Sequence, residues 1–224
     1  MAVPNTTTFS LRDVVDELGN SSAGEDLKEC FDIANPALFD PSYEGNKDSL
    51  YNFRNYGGTW GTYEDWFLPS FVAFTGMQIN LHDESIMDFE EDVPYWSSTE
   101  INATTVKAYF FGGGGYRADL PKSTLAHVRA CRTFEGGDDD YDLGDSGPAG
   151  GYIFYIRDDG GGVFTYFEIS ATDISLASIW SNVDDEEIGT TLDDIGEGQN
   201  NTDEIIAQSG HTDSAANLCD IYTV

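Results

Sequence analysis

The sequence predicts an α+β fold, and three observations lead there. Runs rich in aromatic and β-branched residues, of the kind that suit a pleated surface, occupy Tyr95–Ser98, Val106–Phe111 and Ala126–Phe134. Helical spacing of apolar residues is confined to short stretches near the start, around Phe71–Asn80 and near the end. Strands and helices do not alternate regularly, which argues against a doubly wound parallel sheet. The chain has 224 residues, enough for one large domain or a domain with a small module. Its 14 Phe, 12 Tyr and 4 Trp provide ample apolar volume for a core.

Taken in order, the first 58 residues form a small helical module. Ser10 is placed to cap Leu11–Leu18, with Phe9, Val14 and Leu18 on one stripe. Gly19–Gly24 breaks that helix, and Glu25–Ala34 repeats the pattern until Asn35–Pro36 stops it. Phe39–Tyr56 is turn-rich with aromatic anchors. Two short helices bury little alone, so the module is expected to pack on a neighbour.

The body covers residues 59–224. Ser70 is placed to cap a helix over Phe71–Asn80. Gly112–Gly115 reads as a flexible turn after the Val106–Phe111 strand. Ala126–Phe134 reads as one strand with alternating faces, and Gly151–Ile156 with Val163–Ile169 as a hairpin around Arg157–Gly162. Asn201–Gln208 and Ser214–Tyr222 are helical, with Thr202 at the start of the first. Between the strands, Glu135–Gly150 is rich in Gly, Asp, Ser and Pro, the composition of a solvated linker.

Charge excludes several function classes. Lys and Arg number 10 against 41 Asp and Glu, a net of −31. Residues 135–224 hold 21 acidic residues and a single basic one, Arg157. Such a surface repels phosphate backbones and anionic headgroups, so neither nucleic acid nor a membrane surface is an expected partner. No apolar run reaches the roughly 20 residues that span a bilayer, and the start has no basic and apolar regions of signal-peptide type. Cys30, Cys131 and Cys219 are too scattered for a disulfide scaffold or a Cys/His metal site. Cys131 and Cys219 fall where buried thiols are usual.

Certain segments carry a resemblance. Residues 144–224, opening GDSGPAGGYIFYIRDD and closing AANLCDIYTV, resemble the opening half of the Lcl C-terminal domain family, lectin-like modules of C-type-lectin-like fold. Gly61–Ser70 (GTYEDWFLPS), Tyr95–Glu100 (YWSSTE) and Val128–Phe134 (VRACRTF) are similar to that family's later segments. The halves are complementary and in reversed order. The resemblance therefore implies a circularly permuted C-type-lectin-like domain behind the helical module, with 135–150 joining the old termini. It further implies that the strand at 127–134 pairs antiparallel with that at 151–156, and that Val224 lies beside Thr62–Asp65. The N-terminal pattern NTTTFSLRDVV…SLYNFRNYG resembles modules preceding variable domains of phage virion proteins.

These resemblances imply a virion or particle-surface protein that binds host glycans or another surface ligand. Other particle subunits would engage the N-terminal module, and the whole would form a homo-oligomer. A purely structural decoration subunit is the rival. In the lectin-like fold the ligand face lies between the WSS strand and the last strand, here Glu100–Leu125. That interval offers Asn102, Lys107, Tyr116, Arg117, Asp119 and Lys122, with Tyr and Arg as rigid anchors. Tyr109, Phe111, Trp66 and Trp96 are expected in the core.

No catalytic constellation is expected. His82, His127 and His211 sit in no recognised motif. Formylglycine-generating oxidases share the wider fold, but the cysteine that would accompany Cys131 is missing. Asp138, Asp140, Asp142 and Asp145 form an oxygen-rich run suited to Ca²⁺, as do Asp184–Glu187 and Asp193–Asp194. The first run lacks the Gly and Glu of an EF-hand loop, and a solvated loop explains all three. No other cofactor is implied.

Overall fold

The computed structural model describes Cys30, residues 63–137 and residues 140–224. The chain divides into two compact units, 1–62 and 63–224. Cys30 is helical and buried. The remaining expectations for the first unit, and Asp138, lie outside the described residues.

The second unit is α+β, dominated by strands. Helix α1 (Phe71–Met77) continues into a π-helical turn (Gln78–His82). Strands β1 (Tyr95–Asn102), β2 (Thr105–Phe110), β3 (Tyr116–Pro121), β4 (Ala126–Val128) and β5 (Cys131–Gly136) follow. Then come β6 (Tyr152–Gly160), β7 (Val163–Ile169) and β8 (Ser175–Ser178). Helices α2 (Gly198–Ile206) and α3 (Ala215–Asp220) end the unit. Five strands form one sheet in the order β3-β2-β1-β4-β8, and three form another in the order β5-β7-β6. Only β1 and β4 run parallel.

Two apolar cores explain the sequence pattern of the central strands. Trp66, Trp96, Val106, Ala108 and Trp180 share one core with residues of α2 and α3. Phe67, Phe74, Tyr95, Tyr109, Phe111 and Phe154 share the other. Alternate residues of β1 and β2 thus point into different cores, so both faces of the sheet are covered. This is why YWSSTE lacks the polar-out rhythm of a half-exposed strand. Its buried hydroxyls are satisfied by distant segments. Ser98 Oγ accepts from Asn201 of α2 at 3.0 Å, and Thr99 Oγ1 accepts from the Phe71 amide at 3.1 Å.

Several local expectations are corrected. Ser70 stands at the α1 N-cap but caps nothing, because its hydroxyl donates to the Asp194 carbonyl at 2.8 Å. Thr202 lies inside α2, where its Oγ1 accepts the Leu68 amide at 3.0 Å. Ser214 is the working cap, accepting from the Asn217 amide at the start of α3. The β6–β7 hairpin is tighter than expected: β6 runs through Arg157–Asp159, and positive φ at Gly160, Gly161 and Gly162 makes the turn. Ala126–Phe134 is two strands in two sheets, separated at Arg129–Ala130.

The expected pairing of 127–134 with 151–156 does not form. β5 and β6 belong to one sheet, but β7 lies between them and pairs antiparallel with both. A tight glycine turn sends β7 straight back along β6, and β5 takes the free edge of β7. Nor is 135–150 a simple solvated linker. The Gly144 amide donates to Ile153, the Ile153 amide to Asp145, and Ala149 is buried in the first core. The chain end does lie where expected. The Tyr63 amide donates to the Val224 carbonyl at 3.1 Å, and Tyr222 meets the Trp66 ring edge-on.

One ion cluster, buried at Arg132 and Glu168 and reaching the surface at Asp65, fastens these pieces. Arg132 of β5 makes two bonds to Asp65, at 2.8 and 2.9 Å, and donates to Glu168 of β7 at 3.0 Å. Its guanidinium lies over the rings of Tyr63 and Phe134. Glu168, fully buried, also accepts the amides of Ala149 and Gly151 at 3.1 and 2.8 Å. Gly147 and Gly151 permit that approach, since a Cβ on Gly147 would fall 2.4 Å from the carboxyl carbon and one on Gly151 2.1 Å from the Ile169 carbonyl. Burial pushes the Glu168 carboxyl above its usual range, opposed by Arg132 and the two amides. The folded protein therefore holds this proton more tightly than the unfolded chain. Its contribution to stability is full below the ordinary glutamate value and is lost as pH rises through the raised folded value. Glu168→Gln is expected to remove that descent from the stability–pH curve, measured by urea denaturation across pH 4 to 8.

Candidate functional site

The expected ligand interval Glu100–Leu125 becomes the end of β1, all of β2 and β3, and the turns between them. The β2–β3 register is continuous from Thr105↔Pro121 to Phe110↔Tyr116. It sets Lys107 opposite Asp119 and Tyr109 opposite Arg117 on one face. Phe111, just past β2, lies in the second core, and positive φ at Gly113, Gly114 and Gly115 turns the chain into β3.

The six candidate side chains separate into two groups. Tyr116, Arg117 and Asp119 remain at the surface. Tyr116 is 53% exposed and stacks on Phe110, ring centroids 4.9 Å apart and nearly coplanar. Arg117 and Asp119, two apart on the same face, form a two-pronged ion pair, with Nη2 donating at 2.8 Å and Nε also bonded. That carboxylate holds the guanidinium pKa above its usual range. The unbroken register sets these groups on opposite faces of β3: the stacked rings of Tyr116 and Phe110 on one, the Arg117–Asp119 fork on the other.

The other three are occupied. Lys122 is 0% exposed: its ammonium pairs with the buried Glu100 carboxylate at 2.6 Å, donates to the Glu186 carbonyl at 2.7 Å and lies over the Trp180 ring. The other oxygen of Glu100 accepts the amides of Ile188 and Gly189, both at 2.9 Å. Lys122 is thus a clamp on the acidic 182–194 segment, since a lysine buried that deeply persists only when paired. Lys107 pairs with Asp193 beneath the Phe71 ring. Asn102 is exposed, but its carbonyl oxygen accepts from Thr104 and holds the β1–β2 turn.

The acidic runs behave as turns. Asp140 accepts the Gly137 amide, and Asp145 accepts the Asp142 amide at 3.0 Å. Among the described residues, no group of three or more His, Cys, Asp or Glu side chains is placed to hold a metal ion. Cys131 and Cys219 are buried free thiols whose pKa values burial drives up, as expected of core cysteines. Among the described residues, no helix is long and apolar enough to cross a membrane.

One cluster escaped the sequence reading. Asp173 receives Arg129 Nε and lies 2.8 Å from His127 Nδ1, and the Tyr95 hydroxyl donates to it at 3.2 Å. Burial pushes Tyr95 up to about 12, so its phenol remains a donor at neutral pH. Arg129 also lies over the Phe89 ring. The role of the cluster is to fasten the loop before β8 to β4. The signal was present in HVRACRT: charged residues inside a buried strand must find partners.

The chain matches no family model, no curated protein and no solved structure with which it was compared.

Lys122→Met leaves Glu100 as an uncompensated buried charge and is expected to cost about 3–5 kcal/mol. Adding Glu100→Gln, which keeps an acceptor for the Ile188 and Gly189 amides, should recover most of that loss. Urea denaturation of the two variants measures both effects. A ligand-contacting lysine at position 122 would leave stability unchanged.

Proposed function

We propose that the protein is a non-enzymatic surface subunit of a virion or comparable extracellular particle, and that its 59–224 body is a circularly permuted lectin-like domain. On this reading the body attaches to host glycans or another surface ligand, and residues 1–58 dock to other particle subunits. The observation that carries it is the exposed Tyr116 ring stacked on Phe110 on one face of the edge strand β3. It lies between the YWSSTE strand and the VRACRTF strand, in the interval that serves ligand binding in the resembling family. An exposed ring stacked on a second ring offers a platform for the apolar face of a sugar. Permutation is supported by the meeting of Tyr63 with Val224, and by cores that draw on both halves of the chain.

Two experiments test these parts separately. A glycan array probed with the intact chain should give a defined set of hits. Tyr116→Ala should weaken them about tenfold or more while leaving the melting temperature unchanged, because the ring is half-exposed. No hits at all would favour the decoration-subunit reading. For the permutation, residues 144–224 joined by a short Gly/Ser linker to residues 63–136 should fold cooperatively, since the linker spans a backbone hydrogen bond. An unfolded product would remove the permuted-domain reading.

A further inference from the structure

β3 ends the five-stranded sheet, and among the described residues no strand pairs with its outer side. The direction of each peptide along it follows from its register. The Lys122 amide donates to the Thr104 carbonyl at 3.0 Å, in line with Thr105↔Pro121 and the pairs beyond. Inward and outward peptides alternate along an antiparallel strand. Residues 116, 118 and 120 therefore bond to β2, and Arg117 and Asp119 turn their amides and carbonyls outward. The next outward position is Pro121, which has no amide to leave unmet.

Natural edge strands are usually blunted by bulges, cover, shortness or charges that repel a second strand. The opposite edge, β8, has four residues and is short. β3 has six, its register with β2 is unbroken, and of its outward residues Arg117, Asp119 and Pro121 the first two carry opposite charges. Three close antiparallel registers bring outward residues of two such strands together. One sets Arg117 against Arg117 and another Asp119 against Asp119, both repulsive. The third, centred on Ala118, sets Arg117 against Asp119 twice and Tyr116 against Leu120. The edge is complementary to itself in that register alone.

We propose that β3 pairs antiparallel with β3 of a second copy of this chain, about a two-fold axis at Ala118, joining two five-stranded sheets into one. Arg117 and the partner's Asp119 exchange both main-chain hydrogen bonds, as do their symmetry mates. The four side chains form a square of alternating charge on one face. The interface is isologous and closes at the dimer, so it does not propagate. A second copy fits this edge better than an unrelated acidic partner. All six Lys and Arg of residues 63–224 are engaged in ion pairs, and Arg117 is one of two whose side chains remain about half-exposed. A partner strand must therefore supply a cation as well as a carboxylate at the matching place. The charge square stands on the face opposite the Tyr116–Phe110 stack, so the pairing is distinguishable from the ligand proposed for that stack.

Sedimentation of the intact chain in about 0.15 M NaCl, where long-range repulsion between acidic bodies is screened, tests the pairing. A concentration-dependent dimer is expected. Arg117→Asp and Asp119→Arg should each weaken it about tenfold or more, because each places like charges opposite one another twice. The exchanged double variant R117D/D119R should restore it. Unchanged melting temperatures establish that these half-exposed substitutions leave the fold intact. A chain monomeric at all concentrations, a dimer indifferent to both reversals, or an exchange that fails to restore association overturns the proposal. Loss of glycan binding with the dimer intact, or the reverse, separates the two readings of this strand.

Discussion

Arg132 is the point on which the rest of the body depends. It joins three segments remote in sequence: Asp65 at the start of the DWFLPS run, its own strand β5, and Glu168 of β7. Through Glu168 the same cluster reaches the 147–151 loop, whose amides fill the remaining acceptor sites of the carboxylate. A buried ion pair adds little to stability compared with apolar residues of equal volume, yet breaking one partner leaves an uncompensated charge. The value of this cluster is therefore geometric. The register of β5 against β7, the position of Asp65 and the course of the loop before β6 all have to agree for its charges to be satisfied.

The same logic recurs at Lys122–Glu100 and at Arg129–Asp173. Each joins a strand of the larger sheet to the loop-rich second half of the chain. With 31 acidic residues and only six Lys or Arg in residues 63–224, carboxylates are abundant and cations are scarce. Scarcity makes the cations the informative residues. Most of them sit inside the fold as fasteners, while the surplus of carboxylates is left to the surface. The acidity of the surface is thus a property of what remains after the interior has taken its basic residues.

What the sequence made legible was largely what local physics dictates. Strand propensity located β1, β2 and β7, helical spacing located α1, α2 and α3, and the aromatic residues expected in the core are there. The failures share one cause, which is competition from distant partners. Ser70 and Thr202 have good capping chemistry, but Asp194 and Leu68 engage their hydroxyls instead. β7 displaced β6 from the edge of β5 because hairpin closure is local and β5–β6 pairing is not. Lys122 looked like a surface cation because nothing in its neighbourhood announces Glu100 and Trp180 as partners. Of the six candidate site residues, those with exposed neighbours in the edge strand kept their promise of accessibility. Those whose partners lie in the 182–194 segment did not.

The hydrogen bond between Tyr63 and Val224 has a consequence for biosynthesis. Its two ends are the first and last residues of the body, and the first core cannot close until Ala216, Cys219 and Tyr222 arrive. Contacts of such long sequence separation slow folding, because the chain must pay loop-closure entropy before they form. During synthesis Trp66, Trp96 and the YWSSTE strand emerge early and remain without α2 and α3 to cover them. The first core thus stays incomplete until residues 215–222 have left the ribosome. The many acidic residues of the later half, solvated and mutually repelling, then help keep the waiting chain dispersed.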